Sequence, residues 1–238
     1  MSKDKNTTID FSKNSYYDEK VLKGLKLHIR ALTYRDIFKH IERFRMKNID
    51  RILEVGSGSG YFVKFSEKKF PKARISALEL DTRLHSTIKR NAPSVEISSQ
   101  NAEYFNFPYK FDLVVSTHVI EHLFNPKSML ACIYDHMTPG GLFIITTPNL
   151  NSVGHKIHKS SWNGIRDDHV SLMSLYDLKQ AMEGAGFKVV YAGSTFFSGV
   201  KLFRIFPFRL INDFLLFTFG SLKWSSGEAL IVVAHKPV

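Results

Sequence analysis

The sequence is poor in features that fix a chain from outside its own core. Its single cysteine, Cys132, excludes an intramolecular disulfide framework and suits a reducing compartment. No uninterrupted apolar run reaches the ~20 residues that span a bilayer, and the opening MSKDKNTTID lacks the apolar core of a secretory leader. No internal repeat or low-complexity tract is found. Acids are scarce, 22 against 33 Lys and Arg, giving a formal net charge of +11. That balance favours acidic partners such as nucleic acid, anionic lipid headgroups or phosphorylated small molecules, without choosing among them. What the chain has is core material: 238 residues, 44% of them hydrophobic, suit one sizeable domain.

One stretch organises the rest. Arg51-Ile52-Leu53-Glu54-Val55 is a short apolar run carrying one acid, and it breaks into Gly56-Ser57-Gly58-Ser59-Gly60 before an apolar helical segment opens at Tyr61. A strand, a tight turn and a helix N-terminus in succession form the nucleotide-binding opening of a doubly wound sheet. A dinucleotide fingerprint wants its third glycine one position later, where Tyr61 stands, and this weakens a pyrophosphate reading. Past the turn, the pattern predicts a helix over 59–68, a strand over 73–80 and a helix through Leu84 and Ile88 capped by Asp81. Glu79, 19 residues beyond Gly60, sits where a carboxylate can accept both hydroxyls of a ribose. Strands over 94–98, 111–116, 142–147, 187–195 and 228–236 complete the sheet. Asn125-Pro126 starts one further helix, and Ser174 with Asp177 starts another through a capping box.

Glu54-x-Gly56-x-Gly58-x-Gly60 resembles the first motif of the class I S-adenosylmethionine (SAM) dependent methyltransferases, with Glu79 and Phe111-Asp112-Leu113-Val114-Val115-Ser116 matching further family elements at the right spacing. The likeness covers residues 50–195 well and 226–238 adequately. It implies a Rossmann-like doubly wound α/β fold: about seven strands, mostly parallel, the last antiparallel, with N-terminal helices and two insertions. The resemblance also implies a SAM site of Glu54, Gly56, Ser57, Gly58, Gly60, Glu79, Leu80, Asn101, Ala102, Glu103, Thr117 and His118. Many relatives have an aspartate where this chain has Asn101, whose amide offers the adenine edge both a donor and an acceptor.

The segment from Thr117 to Pro126 resembles the quinone-biosynthesis O-methyltransferases. His118, just past the fourth strand, is the first candidate for a general base, followed by His122 and His169. His118, Glu121, His122 and His169 could also gather a metal ion. However, His118 replaces the first glutamate of the metal-binding pattern in some relatives, so no metal is expected.

The organisation expected is a leader and helical lid over residues 1–48 and a catalytic domain over 49–238. Between Lys20 and Lys47, nine Lys or Arg face two acids, as a solvated helix face or as a lid steering anionic substrate, with Tyr16 as an aromatic substrate contact. Two insertions would carry substrate choice. Residues 149–172 hold Trp162, expected to stack on a ring or sugar face; Arg166, expected to pair with a carboxylate or phosphate; and His169. Residues 196–225 hold eight of the chain's 20 phenylalanines among Lys201, Arg204 and Arg209, which suits a buried core, a dimer face, an apolar lid or a peripheral membrane contact. The function expected is methyl transfer to an oxygen of a small molecule: a sugar, a nucleotide- or lipid-linked sugar, or an aromatic metabolite, including acidic ones. An RNA methyltransferase is the alternative enzyme, though no RNA-binding module or Asn-Pro-Pro-Tyr tetrapeptide supports a nucleic-acid partner. A SAM-binding scaffold that activates a partner is the non-catalytic alternative. The station expected is the cytoplasm, or its membrane surface.

Overall fold

The computed structural model describes residues 25–162, 164–195 and 225–238. Helix α1 (Leu25–Phe44) precedes an alternation of strands and helices: β1 (Arg51–Val55), α2 (Tyr61–Lys69), β2 (Arg74–Leu78), α3 (His85–Asn91), β3 (Glu96–Ser98), β4 (Phe111–Thr117), α4 (Pro126–Asp135) and β5 (Met137–Pro148). After β5 come α5 (Val153–His158), α6 (Leu175–Gly184), β6 (Lys188–Thr195) and β7 (Ala229–His235).

The strands make one seven-stranded sheet in the order β3-β2-β1-β4-β5-β7-β6. Pairing is parallel from β3 through β5, while β7 runs antiparallel to both β5 and β6. The expected architecture is therefore present, down to the direction of the last strand. Burial explains the sequence pattern: β1, β4, β5 and β7 are covered on both faces and so read as near-continuous apolar runs. One core cluster, around Leu53, Val114, Phe143 and Met129, lies under α4 and α6. A second, around Ile52, Val115, Phe62 and Ile88, lies under α1, α2 and α3. Ile37 and Ile41 of α1 are fully buried in that second cluster.

Local signals behave as expected with one refinement. Asn125 caps α4, accepting from the Ser128 amide, with Pro126 in the first turn, and Ser174 and Asp177 form a reciprocal capping box on α6. Pro139-Gly140-Gly141 lies within β5 rather than before it, because Met137 already pairs with Phe111 and the register slips before Leu142 meets Leu113. Gly140 takes φ 73° in that irregularity. No helix among the described residues is long and apolar enough to cross a membrane. The expected contact Tyr16, with all of the leader and lid segment before Leu25, and residues 196–224 lie outside the described residues.

Candidate active site

Chain order proceeds outward from β1 to β3 and then returns to β4 on the other side of β1. The loops after β1 and β4 thus leave the sheet side by side in opposite directions, opening a crevice at its carboxyl edge. The glycine turn lines one wall. Gly56, Gly58 and Gly60 have φ of 75°, 51° and 74°, a region costly for any residue with a Cβ. A Cβ on Gly56 would run into Val119 from the other wall, and one on Gly60 would press on Ile88. At Gly58 a Cβ would meet nothing within 4 Å, so the backbone there is open to a ligand.

Glu79, 8% exposed, ties this turn to the end of β2: its Oε2 accepts from the Gly58 amide at 2.7 Å and its Oε1 from the Asp81 amide at 2.9 Å. Burial pushes the Glu79 carboxyl up, against the downward pull of those two amides. Asp81 accepts from the Arg83 amide and caps the short 3₁₀ turn over 82–84 rather than the helix through Ile88 itself, because that turn intervenes and Leu84 stands at the N-cap of α3. Leu80 is 46% exposed, an apolar surface beside Glu79. Glu54 is 1% exposed at the end of β1, and the Ser57 hydroxyl donates to its backbone carbonyl. Beyond β3, the Asn101 Oδ1 accepts from the Glu103 amide, and Glu103 Oε1 accepts from the Asn125 amide, so this turn is braced against the start of α4. Ala102 packs on the first core cluster.

The second wall is polar. His118 follows β4 with φ 55° and donates its amide to Thr146. Its Nδ1–H donates to Glu121 Oε1 at 3.1 Å, which fixes the tautomer and leaves Nε2 as the basic nitrogen. Glu121 is fully buried, and Thr147 donates to its other oxygen at 2.9 Å. Burial by itself would push this carboxyl up, but the bond from His118 and the nearby His118 and His122 rings bring it below the ordinary glutamate range.

His122 and His169 complete the cluster, their rings 4.7 Å apart and edge to face. His122 Nδ1–H donates to the Asp168 carbonyl and His169 Nδ1–H to that of Gly164. Burial lowers the His169 pKa, partly offset by its bond to Gly164. Ligand atoms of Glu121, His122 and His169 all lie within 4.8 Å of one another. Histidines whose second nitrogen is held by a backbone carbonyl suit a metal ion, so the donor set fits one. Of the four residues named from sequence, His118 stands outside this group and bonds to Glu121 instead.

Two substrate expectations meet different geometry. Trp162 is only 3% exposed; its Nε1–H donates to Glu228 Oε2 at 2.6 Å and its ring lies 5.0 Å from His155. Glu228 Oε1 accepts from the Gly154 amide, so the indole anchors the loop instead of offering an open face. The Arg166 Nε and Nη2 donate to the two Asp168 oxygens at 2.9 and 3.0 Å. The guanidinium thus engages a carboxylate of its own loop. Burial works against the Asp168 charge, but Arg166 outweighs it and holds the carboxyl below its usual range. Thr147 and Glu228 were not singled out as site residues, since neither motif nor spacing marks a residue whose role depends on a distant partner.

The residues present fit SAM: an open positive-φ cradle at Gly58, a buried carboxylate at Glu79, and a buried hydroxyl on Thr117 that has no hydrogen-bond partner among the described residues. Comparison with known proteins agrees. A malonyl-[acyl-carrier protein] O-methyltransferase of Bacillus cereus is 25% identical over 108 residues, 44% of this chain and 40% of that protein. A ubiquinone biosynthesis O-methyltransferase of Ruegeria pomeroyi is 31% identical over 118 residues, 42% of each. The chain spans about two fifths of the length of these curated relatives. Among solved structures, a SAM dependent methyltransferase from Archaeoglobus fulgidus superposes with TM-score 0.66 at 19% identity, covering 94% of this chain and all of that one. The methyltransferase bound to the Trm112 activator of Haloferax volcanii superposes with TM-score 0.63 at 16% identity, covering 88% and 93%. Residues 27–192 match the model of the methyltransferase domain family, so the chain belongs to that family, and its sheet is that of the class I SAM-dependent methyltransferases.

Proposed function

We propose that this enzyme methylates an oxygen of a small-molecule acceptor, with His118 as the general base. The observation that carries the reading is the His118–Glu121 bond: a half-exposed imidazole at the carboxyl end of β4, its Nδ1–H committed to a buried carboxylate. Bound SAM supplies an electrophilic methyl group on a sulfonium whose thioether leaves readily. The protein must place the acceptor in line, exclude water and remove one proton. Glu79 is our assignment for the ribose hydroxyls, Leu80 and Asn101 for the adenine, and the Gly56–Gly60 turn near Glu54 for the amino-acid end. His118 Nε2 takes the hydroxyl proton as the oxygen–carbon bond forms, and Glu121 stabilises the resulting imidazolium. O-methylation by two curated relatives, each matched over about two fifths of this chain, supports this acceptor chemistry.

The test begins with a screen for methyl incorporation into candidate acceptors. With an acceptor in hand, His118→Gln is expected to lower kcat by about 10² to 10⁴-fold while leaving SAM affinity within a few-fold. Full activity in that variant overturns the assignment.

A second reading rests on the proximity of Glu121, His122 and His169. These three side chains would hold Zn²⁺, Fe²⁺ or Mn²⁺, and the ion would act as a Lewis acid on the acceptor hydroxyl. Metal analysis of the purified protein and activity after chelation distinguish the readings: loss restored by one of these ions supports the metal, and unchanged activity of metal-free protein supports the base alone.

A further inference from the structure

A groove of about 880 Å³ lies between α1 and the last turns of α2. It lies away from the chemistry. Helix α2 starts at the glycine turn on the carboxyl edge and ends at Lys69, while α1 ends at Phe44 just before β1 begins. The groove residues occupy the later part of each helix, toward the amino edge of the sheet.

The floor is aromatic. Tyr34, Phe38 and Phe65 line it, with Phe38 stacked on buried Phe62 at 5.3 Å and Tyr34 tilted against Phe65 at 6.2 Å. Phe65 remains 40% exposed, so the floor reaches solvent. The rim is cationic: Arg35, Lys39, Arg43, Lys68 and Lys69 line it against one carboxylate, Glu42. That carboxylate is already shared between Lys69 at 3.1 Å and Arg45 at 3.2 Å. The ion pair of Lys39 with Asp36 is long, 3.7 Å, and solvent-exposed, so it holds that charge weakly.

We propose that this groove docks an anionic phospholipid at a membrane surface, the headgroup phosphate among the rim cations and the upper hydrocarbon against Tyr34, Phe38 and Phe65. Charge complementarity selects an anion, and the sunken aromatic floor selects an amphiphile over a fully hydrated one. A single-stranded nucleic acid would require open ring faces for base stacking. Here the Phe38 face is covered by Phe62, and the floor rings tilt into one another, a surface indifferent to the shape of hydrocarbon. The groove is independent of the acceptor assignment above, because none of its residues belongs to the catalytic cluster.

The test is co-sedimentation of the full-length protein with vesicles of phosphatidylcholine alone and of phosphatidylcholine mixed with phosphatidylglycerol. Binding is expected to the anionic vesicles only. Because each juxtamembrane Lys or Arg contributes about fivefold, K39Q/K68Q is expected to weaken it about 25-fold. Phe65→Gln should also weaken binding, with the melting temperature and SAM binding of both variants close to the parent's. Glycerol phosphate is expected to compete poorly, since it lacks the hydrocarbon; full competition would reduce the groove to a phosphate site and overturn the membrane assignment. Equal binding to neutral vesicles, or undiminished binding by the variants, would also overturn it, the latter placing the lipid contact or a covering segment elsewhere in the chain. Tighter binding to single-stranded RNA, lost in the same variants, would replace lipid with nucleic acid.

Discussion

The first two glycines of the turn make different demands, although they are two positions apart and both have positive φ. At Gly56 the constraint is internal: Val119 occupies the space a Cβ would need. Gly56→Ala is therefore expected to cost about 2 to 4 kcal/mol, combining left-handed strain with a clash between the two walls. Thermal or denaturant unfolding measures this directly, and a loss under 1 kcal/mol would show that the walls part freely. At Gly58 the constraint is external, since no protein atom stands in the way. A glycine pattern in a sequence marks both positions equally; only the geometry separates the residue that closes the fold from the one whose backbone stays open. His118 presents a similar contrast. Its identity and position after β4 were legible, but its bond to Glu121, and through Thr147 to β5, was not, because Thr147 lies 26 residues beyond Glu121.

At the scale of elements, the loop before α6 clasps the turn after β4. The Ser171 amide donates to the Glu121 carbonyl, its hydroxyl donates to that of Leu123, and Asp168 receives His122 from one side and Arg166 from the other. Arg166 thus aligns Asp168, which holds the His122 ring. Arg166→Ala is expected to lower turnover on neutral and anionic acceptors alike. A KM increase confined to anionic acceptors would restore the anion-binding role that its charge first suggested. Helix starts were the most legible elements: Ser174→Ala should cost about 0.5 to 2 kcal/mol by unfolding, as for an ordinary N-cap. The loop anchors were illegible for a plain reason. Trp162 finds Glu228 66 residues away, and a tryptophan in a polar loop resembles a substrate contact until its partner is known.

For the whole molecule, Asp112 joins three parts of the fold. Its Oδ2 accepts the amides of Asp50 and Arg51 at the start of β1, and its Oδ1 takes Lys47 from the segment after α1 and Thr138 from β5. Burial resists the Asp112 charge, but Lys47 and these hydrogen bonds hold the carboxyl below its ordinary value of 3.8. A carboxyl depressed in the folded state adds stability that is complete above 3.8 and is lost as pH falls through the folded value. Asp112→Asn should therefore flatten the acid limb of the stability profile and cost about 1 to 3 kcal/mol at neutral pH. An unchanged acid limb would exclude Asp112 as a source of that pH dependence. The sheet itself could be read from sequence because strands covered on both faces must be apolar throughout, and the switch between β1 and β4 follows from their order. The loop between β5 and α6 was less legible because its contacts reach across the chain.

The central claim is that SAM lies over the open backbone of Gly58 with its ribose on Glu79. Calorimetric titration of SAM and NAD into the parent protein and Gly58→Ala tests it most directly. The account predicts SAM binding to the parent, no comparable NAD binding, and at least a tenfold loss of SAM affinity in a variant that remains folded. SAM binding unchanged by that substitution, or tight NAD binding in place of SAM, would contradict it.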